Sequence, residues 1–364
     1  MIEPYRLLDI PPIDSPDNDE HGWKYRAVHE LARADRLAAH GNDDQTPSVH
    51  KLIAQRAGRL HFDQQWVLAV RETGDAPRAL GWAWVGLPIH EDLDKAQLQI
   101  CVHPRMRGRG VGSALLEWGE TLISHTARTL VFSASVYGTK EDREPYLEIS
   151  DGKVPAAAPG VSFLTNRGYG LAHAERCSVL AMPMDPGLYQ KLMAATVPYT
   201  AEYRLHTWFC EIPEEWKDSF ARLKEEFSCD APQGTVTFEQ EHWNRGRVDQ
   251  MVREILNQGN VFLMTAAEHA ATGELVGFTE LRWPRGGGVE AASQWFTIVS
   301  REHRGHRLGM WIKLVNASEL VALNPGIRRI HTDNAQENVH MLGINIAMGF
   351  TPNGGIALLT KPLV

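Results

Sequence analysis

The sequence lacks the features that define several large classes of protein. No apolar run approaches the roughly 20 residues that a bilayer-spanning helix needs, and the opening segment, MIEPYRLLDIPPIDSPDNDE, has no basic region followed by an apolar one. The formal net charge is −8, which argues against nucleic acid or an anionic membrane surface as the main partner. These absences predict a cytoplasmic protein that binds neither nucleic acid nor membrane.

Cysteine is also scarce. The 364 residues contain four cysteines and no closely spaced pair of the CxxC kind, and Cys101 lies within an apolar strand pattern. Such a cysteine is expected to be a buried free thiol in a reducing compartment. His303 and His306 form an HxxH pair, but Arg304 and Arg307 beside them would repel a cation, so we expect no metal site.

The sequence does contain an internal repeat. The segment RALGWAWVGLP (78–88) resembles ELVGFTELRWP (274–284), and the basic segment VHPRMRGRGVGSALLEW (102–118) has a counterpart in VSREHRGHRLGMWIKLV (299–315). A chain of 364 residues exceeds the size at which single cores stop growing, so two copies of one domain are the simplest explanation.

Each copy has the same order of predicted elements: helices, strands, the basic loop, a helix, a strand and a final helix. This order is typical of a mixed α/β domain. A stretch that contains several prolines connects the two copies. We predict an N-terminal domain over 1–185, a linker over 186–202 and a C-terminal domain over 203–364.

The first basic loop has the chemistry of an anion site. It follows an apolar strand pattern (98–102), and a helical pattern begins near Val111. The opening turn of a helix has N–H groups without intrahelical partners, and glycines let a ligand approach the backbone closely. The loop therefore predicts a phosphate or pyrophosphate pocket, and the alternative is a tight turn with solvated arginines. Its glycines and arginines are Arg105, Arg107, Gly108, Arg109, Gly110 and Gly112.

Two common phosphate motifs do not fit this loop. A nucleotide P-loop ends in Gly-Lys-Ser/Thr, whereas this loop ends in GVGSAL, without a lysine. A dinucleotide fingerprint needs G-x-G-x-x-G, but a start at Gly108 puts Ser113 in the last position and a start at Gly110 puts Leu115 there.

The segment V-x-P-x-x-R-G-R-G-V-G-x-x-L-L instead resembles the coenzyme A pyrophosphate loop of the GNAT superfamily of N-acetyltransferases. The family signature, Gln/Arg-x-x-Gly-x-Gly/Ala, corresponds here to the run from Arg107 to Gly112. The second copy, R-G-H-R-L-G, has Arg307 where the family prefers glycine. The resemblance implies two tandem acyl-CoA N-acyltransferase (GNAT) domains, each with a mixed, mostly antiparallel sheet flanked by helices, in an architecture like that of mycothiol synthase.

The resemblance also implies acetyl-CoA as co-substrate and no metal. The loop and the helix start would hold the pyrophosphate, and the pantetheine arm would pair along the strand before the loop. The residues implied in the first copy are Val102, Arg107, Gly108, Arg109, Gly110, Val111, Gly112 and Ser113. Those implied in the second copy are Val299, Arg304, Gly305, His306, Arg307, Leu308 and Gly309, with Asn334 and Asn338 after the next strand.

The implied reaction is acetyl transfer to a primary amine of a small molecule, by direct attack in a ternary complex. The attacking amine must be neutral, and deprotonating an amine of pKa about 10.4 at pH 7 costs roughly 4.6 kcal/mol, so a base or a water chain is expected. In the first copy, the positions of the family's usual base and acid hold only apolar residues: Ala96, Leu98 and Leu164.

We therefore place the reaction centre in the second copy. Its corresponding positions hold Ser293, Trp295 and Asn345, of which two are polar. Two carboxylates are further candidates: Glu280, within a strand pattern, and Glu290, just before the next strand. The alternative for each carboxylate is an ordinary surface or edge charge. A route through water would need no dedicated base.

Two other functions stay open at this point. The weak set of base and acid residues also fits a catalytically silent acyl-CoA-binding or regulatory protein, and the loops alone fit a phosphate-binding scaffold. For an enzyme, we expect a small-molecule amine as partner, a monomer or homodimer, and an acceptor cleft built by loops around 86–96, 138–160 and 284–292.

Overall fold

Two compact units make up the chain. The computed structural model describes residues 5–58, 61–73, 76–150, 152–230 and 234–363. The first unit comprises Met1–Glu175, Gly234–Val236 and Gly354–Val364, and the second comprises Arg176–Gln233 and Thr237–Asn353. Within the described ranges, no helix is both long and apolar enough to cross a bilayer.

The first unit is a mixed α/β fold. Its elements are β1 (Arg6–Asp9), α1 (Gly22–His40), α2 (Val49–Ala57), β2 (Phe62–Thr73), β3 (Ala76–Pro88), β4 (Lys95–Val102), α3 (Val111–Ser124), β5 (Leu130–Gly138), β6 (Tyr146–Ile149), β7 (Gly152–Pro155), α4 (Pro159–Thr165) and the first half of β8 (Gly170–Ala181). Strands β1 to β5 lie side by side in chain order, and their pairing is antiparallel except between β4 and β5.

The second unit repeats this plan. Its elements are α5 (Pro186–Thr196), β9 (Tyr203–Phe209), α6 (Lys217–Asp230), α7 (Arg245–Asn257), β10 (Asn260–His269), β11 (Glu274–Pro284), β12 (Ala291–Val299), α8 (Leu308–Leu323), β13 (Arg329–Ala335), α9 (Val339–Met348) and the start of β14 (Thr351–Pro362). The strand order is β13-β12-β11-β10-β9, and only β12 and β13 are parallel. The predicted mixed, mostly antiparallel sheet with flanking helices is confirmed.

The helix after each basic loop covers its own sheet. In α3, Val111, Leu115, Leu116 and Ile123 recur at helical spacing and are buried in one core with strand residues such as Leu98. In α8, buried apolar residues of the same kind pack against β10 and β11. Burial of this apolar stripe fixes the start of each helix at the end of the strand before it.

The compact units and the predicted domain bounds differ in two respects. The proposed linker 186–202 contains α5, which begins with Asp185 accepting a hydrogen bond from Leu188 N at 2.7 Å, and it belongs to the second unit. At the other end of the chain, β14 pairs antiparallel with β5, from Gly354 opposite Gly138 to Pro362 opposite Leu130. The last strand is therefore part of the first unit from Gly354 onward.

Both units contain a fork between two parallel strands. Strand β4 pairs with β5 only over Lys95–Gln97, although it continues to Val102. Strand β12 likewise pairs with β13 only over Ala291–Gln294 and continues to Val299. Each fork thus leaves one strand edge unpaired just before a basic loop, where an extended ligand can form backbone hydrogen bonds.

Candidate coenzyme and acyl-transfer site

The first basic loop turns from β4 into α3 through two left-handed glycines. Gly108 has φ +73° and Gly110 has φ +83°, angles that residues with a Cβ rarely adopt. Gly110 precedes the first turn of α3, and no side chain caps the amides of that turn. Those amides therefore stay available to an anion.

The backbone of this loop is tightly supported on one side and open on the other. A Cβ at Gly112 would lie 3.2 Å from the Phe163 ring and 3.6 Å from Val102 Cγ2, whereas one at Gly108 would meet no atom within 4 Å. An open backbone beside a helix start has the shape and the partial charge for a diphosphate. The residues present fit the diphosphate of coenzyme A.

The three arginines of the first loop differ in their partners. Arg107 Nη2 donates to Asp35 Oδ1 at 2.5 Å, so part of its charge is balanced within the unit. Arg105 and Arg109 are exposed and form no ion pair with any residue that the structure describes. Arg105, which the family signature leaves out, thus contributes as much free positive charge as Arg109.

A further guanidinium reaches the first turn of α3 from the turn that follows α4. Arg167 Nη2 donates to Ser113 Oγ at 2.7 Å, and its guanidinium stacks on Phe163 with 3.9 Å between the group and the ring centre. Sequence reasoning missed Arg167 because it lies far along the chain and only packing against Phe163 directs it to the helix start.

The second basic loop has the same turn despite its altered sequence. Gly305 has φ +84°, and Arg307 adopts the left-handed conformation of Gly110, with φ +54° and ψ 16°. The next helical hydrogen bond, Trp311 N to Arg307 O, measures 3.0 Å. Loss of the family's glycine has therefore not changed the turn, although a left-handed non-glycine residue costs roughly 1–2 kcal/mol.

The support of the second helix start also matches the first. A Cβ at Gly309 would lie 3.2 Å from Ile344 Cδ1 and 3.9 Å from Val299 Cγ2. Arg304 Nε donates to Val299 O at 3.1 Å, which ties the loop to the end of β12. Leu308 is buried under the helix start. Val299, Arg304, Gly305, Leu308 and Gly309 thus have an arrangement like that of the first loop, and Arg307 adds positive charge beside it.

The histidines of the second loop are packed together with Tyr203. His303 Nδ1 lies 3.0 Å from the Tyr203 hydroxyl, and His306 Nδ1 lies 3.2 Å from His303 O. Burial and the neighbouring His269 lower the pKa of His303. The lowered pKa favours the neutral form of His303 near pH 7.

At the second fork, β12 contains a β-bulge. Thr279 pairs with Thr297 and Leu281 pairs with Gln294, so Trp295 and Phe296 together lie opposite Glu280. The corresponding strand of the first unit, β4, runs in unbroken register along β3. A bulge takes backbone groups out of the ladder and redirects them, and such groups can polarise a carbonyl in an oxyanion hole.

Gln294 holds this bulge. Its Nε2 lies within hydrogen-bond distance of three oxygens: Thr279 Oγ1 at 2.9 Å, Glu280 O at 2.7 Å and Phe296 O at 3.1 Å. Thr279 Oγ1 also donates to Phe296 O at 3.1 Å. Side chains therefore replace the ladder bonds that the bulge removes. Gln294 was not predicted, because its role depends on a register shift that the sequence does not reveal.

Polar residues line the other side of the second fork. Asn345 is 2% exposed, its Nδ2 donates to Asn334 Oδ1 at 2.7 Å, and its Oδ1 has no partner among the described residues. Asn334 lies on β13 just beyond Thr332, the last residue that pairs with β12. The predicted Asn334 and Asn345 are thus brought together where the strands separate.

Glu280 is a fully buried carboxylate of the second unit; Glu268, the other buried glutamate among the described residues of this unit, is paired with His206. Glu280 is 0% exposed, its Oε1 accepts a hydrogen bond from Arg282 Nε, and its Oε2 has no partner in the described part of the chain. Glu280 and Phe278 are two residues apart on β11, so their side chains lie on the same face of the sheet. The Phe278 ring packs on Phe220 of α6, with 4.6 Å between the ring centres, so Glu280 also faces α6. An unpaired buried carboxylate oxygen beside the bulge can accept a hydrogen bond from a ligand.

Three other predicted residues occupy different surroundings. Glu290 is exposed and pairs with Arg329 at 3.0 Å, at the closed end of the fork. Ser293 lies within the paired part of β12. Asn338 accepts a hydrogen bond from Met341 N at 3.1 Å and so caps α9. Glu290 and Ser293 therefore do not lie in the open part of the fork. The Asn338 side-chain oxygen is already used as the N-terminal cap of α9.

The base and acid positions of the first fork hold apolar residues. Ala96, Leu98 and Leu164, at the family's base and acid positions, are all buried in the core of the first unit. Leu98 lies against Gly119, where a Cβ would come within 2.5 Å of Leu98 Cδ1. Ser133 and Ser135 are buried on β5 just beyond its last residue that pairs with β4, and neither side chain is a carboxylate or an amide. The first unit thus combines a loop that matches the family signature with apolar residues at the base and acid positions.

The two units together define a tandem fold of the GCN5-related N-acetyltransferase (GNAT) class, as the sequence predicted. No protein-family model matches the sequence, and no curated protein matches it. Solved structures do match. A tandem GNAT protein from the clavulanic acid biosynthesis pathway aligns at 22% identity with a TM-score of 0.73, over 99% of this chain and 98% of that one.

Two further solved structures have the same fold. A GCN5-related N-acetyltransferase from Sphaerobacter thermophilus aligns at 15% identity with a TM-score of 0.63, over 99% of this chain and 96% of that one. The glucosamine N-acetyltransferase region of a fungal multi-domain GH3 β-N-acetylglucosaminidase aligns at 14% identity with a TM-score of 0.59, over 99% of this chain and 38% of that one. At these identities, the similarity defines the fold.

Proposed function

We propose that the protein is an acyltransferase that moves an acetyl group from acetyl-CoA to a primary amine of a small molecule, by direct attack in a ternary complex. The observation that carries the proposal is the second fork, where an open strand edge, a β-bulge and the buried polar groups of Glu280 and Asn345 adjoin an anion-binding helix start. A simple phosphate-binding scaffold would need only the loop.

The residues divide the work of holding the co-substrate. The open amides of Gly305 to Gly309 and the charge of Arg307 would bind the diphosphate. The unpaired edge of β12 from Trp295 to Val299 would bond the pantetheine amides as an added strand does. Acetyl-CoA supplies the thioester, and the bulge at Phe296 would direct a backbone N–H at its carbonyl.

The remaining residues would manage the proton of the acceptor amine. Glu280 Oε2 has no partner, so this carboxylate can accept a hydrogen bond from the acceptor and take its proton, directly or through water. Asn345 and Asn334 would orient the group that leaves, since both lie where β12 and β13 separate. In the first unit the same places are apolar, so that unit would bind the coenzyme without chemistry.

Release of free thiol from acetyl-CoA, measured across a mixed panel of amines with a no-amine control, tests the proposal. We expect amine-dependent release and an acetylated amine in the mass spectrum. Saturating acetyl-CoA should also raise the melting temperature, because a ligand that binds the folded state stabilises it.

Two results would contradict the proposal in different ways. A rise in melting temperature without amine-dependent thiol release would support the silent acyl-CoA-binding protein, which the apolar base and acid positions of the first unit also favour. No change in melting temperature at saturating acetyl-CoA would exclude both coenzyme hypotheses and leave the phosphate-binding scaffold.

A further inference from the structure

A buried lysine faces the second fork from α6. Lys224 is 4% exposed, and its Nζ lies 3.7 Å from the centre of the Phe296 ring on the bulge, 4.8 Å from Trp243 and 6.0 Å from Phe227. Nζ has no hydrogen-bond partner among the described residues, so aromatic rings alone hold this end of the side chain. A buried ammonium that keeps its donors unused is costly unless a ligand satisfies them.

A second cation has unused donors on the same face of the sheet. Arg282 uses Nε to bond Glu280, and its guanidinium stacks on Trp295 at 4.1 Å. Its two terminal nitrogens have no hydrogen-bond partner in the part of the chain that the structure describes. A guanidinium with both terminal nitrogens unpaired matches a carboxylate in geometry.

Positive charge exceeds negative charge around Lys224. Arg247 and Arg282 lie within electrostatic range of Lys224, as do the carboxylates of Glu241 and Glu280, and burial lowers the pKa of Lys224 to about 8. Glu241 accepts a hydrogen bond from Trp243 Nε1 at 2.7 Å, so it is partly committed. Three cations thus face two carboxylates. This excess of positive charge favours binding of an anionic group of a ligand. Glu280 Oε2, which has no partner among the described residues, favours binding of a hydrogen-bond donor such as an amine.

We infer that the acceptor in the second unit carries a carboxylate as well as the reacting amine, as α-amino acids do, and that Lys224 and Arg282 bind the carboxylate while Glu280 Oε2 receives the amine. The rings of Phe227, Trp243, Trp295 and Phe296 lie around these two cations and would contact an apolar or aromatic side chain of the acceptor. This inference rests on the proposed function, and it narrows the acceptor from amines in general to one chemical class.

The test compares acceptors that differ in the carboxylate. The probes are L-phenylalanine, its decarboxylated form 2-phenylethylamine, and L-phenylalaninamide. The amide lacks the negative charge. Its amine is less basic than that of phenylalanine, so a larger fraction of it is neutral near pH 7. A preference for phenylalanine over the amide therefore does not come from a larger supply of neutral amine. The same triad is prepared for tryptophan and leucine. For at least one amino acid, we expect kcat/KM to be tenfold or more above the values for the corresponding decarboxylated amine and amide, which lack the carboxylate.

The variant Lys224→Met keeps the length of the side chain among the rings but removes the charge. We expect it to raise the KM for the preferred amino acid about tenfold and to leave the KM for the corresponding decarboxylated amine within twofold. Lys313→Met is the matched control, because Lys313 is equally buried but lies on α8, and it should leave the selectivity unchanged. Equal loss with both acceptors would mean that Lys224 serves only packing, and it would overturn the inference.

Calorimetric binding of the same probes in the presence of coenzyme A separates this inference from the proposed function. Amino-acid binding that Lys224→Met weakens about tenfold, without any turnover, would support the carboxylate site and contradict the transferase. Amine-dependent turnover with no preference for the amino acids would support the transferase and overturn the carboxylate site.

Discussion

At the scale of single residues, the second unit buries a lysine on α8 that forms no ion pair with any residue the structure describes. Lys313 is 2% exposed, and its Nζ lies 5.3 Å from the Phe350 ring centre. Burial lowers the pKa of Lys313 to about 7, from 10.5 in an exposed lysine. In the unfolded chain the pKa returns to its ordinary value, so the unfolded state holds the proton more tightly.

We predict that Lys313→Met raises the melting temperature most below pH 7. There the lysine is charged in both states, and the full cost of burying that charge destabilises the wild type. Between pH 7 and about pH 10 the folded state has lost the proton that the unfolded state keeps, so wild-type stability rises with pH and the gap closes. Melting curves of both proteins from pH 6 to 9.5 measure this, with an expected gain of about 2 °C or more at pH 6. A gap that is constant with pH would contradict the prediction.

Two carboxylates were predicted for the reaction, and the structure separates them. Glu280 is buried beside the bulge with a free oxygen, whereas Glu290 forms an exposed ion pair with Arg329. Glu280→Gln is expected to lower kcat/KM for the acceptor by about 100-fold, because the amide cannot take a proton. Glu290→Gln should stay within twofold of the wild type. Steady-state kinetics with a fixed acceptor measure both variants, and unchanged turnover in Glu280→Gln would favour a route through water alone.

At the scale of elements, the feature that distinguishes the two forks is the bulge in β12. A bulge replaces regular ladder bonds with bonds from side chains, and here Gln294 supplies them to Glu280 O and Phe296 O. The backbone at Phe296 can therefore keep a fixed direction without a partner strand. We assign Gln294 as a positioning residue.

We predict that Gln294→Met lowers kcat at least tenfold while the affinity for coenzyme A changes less than threefold. Methionine cannot donate the bonds, so the carbonyls of the bulge lose partners, which costs roughly 1–3 kcal/mol of stability as well. Gln99→Met is the control, since Gln99 on β4 bonds Trp84 Nε1 at 2.6 Å in the first unit. It should lower stability without lowering kcat. Equal kcat for both variants and the wild type would remove the proposed role of Gln294.

Local patterns in the sequence predicted the loops and the helices that follow them, because glycine spacing and apolar periodicity act over short distances. Asn345 was named through the resemblance to the family and not by a local pattern. Local patterns did not predict the bulge, which depends on bonds between β11 and β12, or Lys224, which has the sequence context of any lysine on an amphipathic helix. Arg307 stands where the family prefers glycine, yet it adopts the same left-handed turn as Gly110.

At the scale of the whole molecule, the repeat and the compact units are not the same division of the chain. The sequence places β14 with the second copy, whereas residues from Gly354 onward pair with β5, and Ala357 and Leu359 are fully buried in the core of the first unit. An apolar strand pattern indicates that a strand is buried but does not indicate in which sheet it lies. The sequence therefore could not show to which unit β14 belongs. The first unit is therefore incomplete without the C-terminus of the chain.

The roles of the two coenzyme loops can be separated with one matched pair of variants. Gly112 and Gly309 occupy the same position in the first turns of α3 and α8, and in both a Cβ would lie 3.2 Å from a side-chain atom. Glutamate at this position suits a helix N-terminus but repels a diphosphate. We expect Gly112→Glu to lose one coenzyme site in calorimetric titration and to keep acetyl transfer, and Gly309→Glu to lose transfer. Gly170→Glu, at an exposed position with no atom within 4 Å of the added Cβ, controls for the added charge. The base and acid positions of the first unit are apolar although its loop matches the family signature. Transfer that survives Gly309→Glu but not Gly112→Glu would therefore place the chemistry in the first unit and contradict the proposed division of roles.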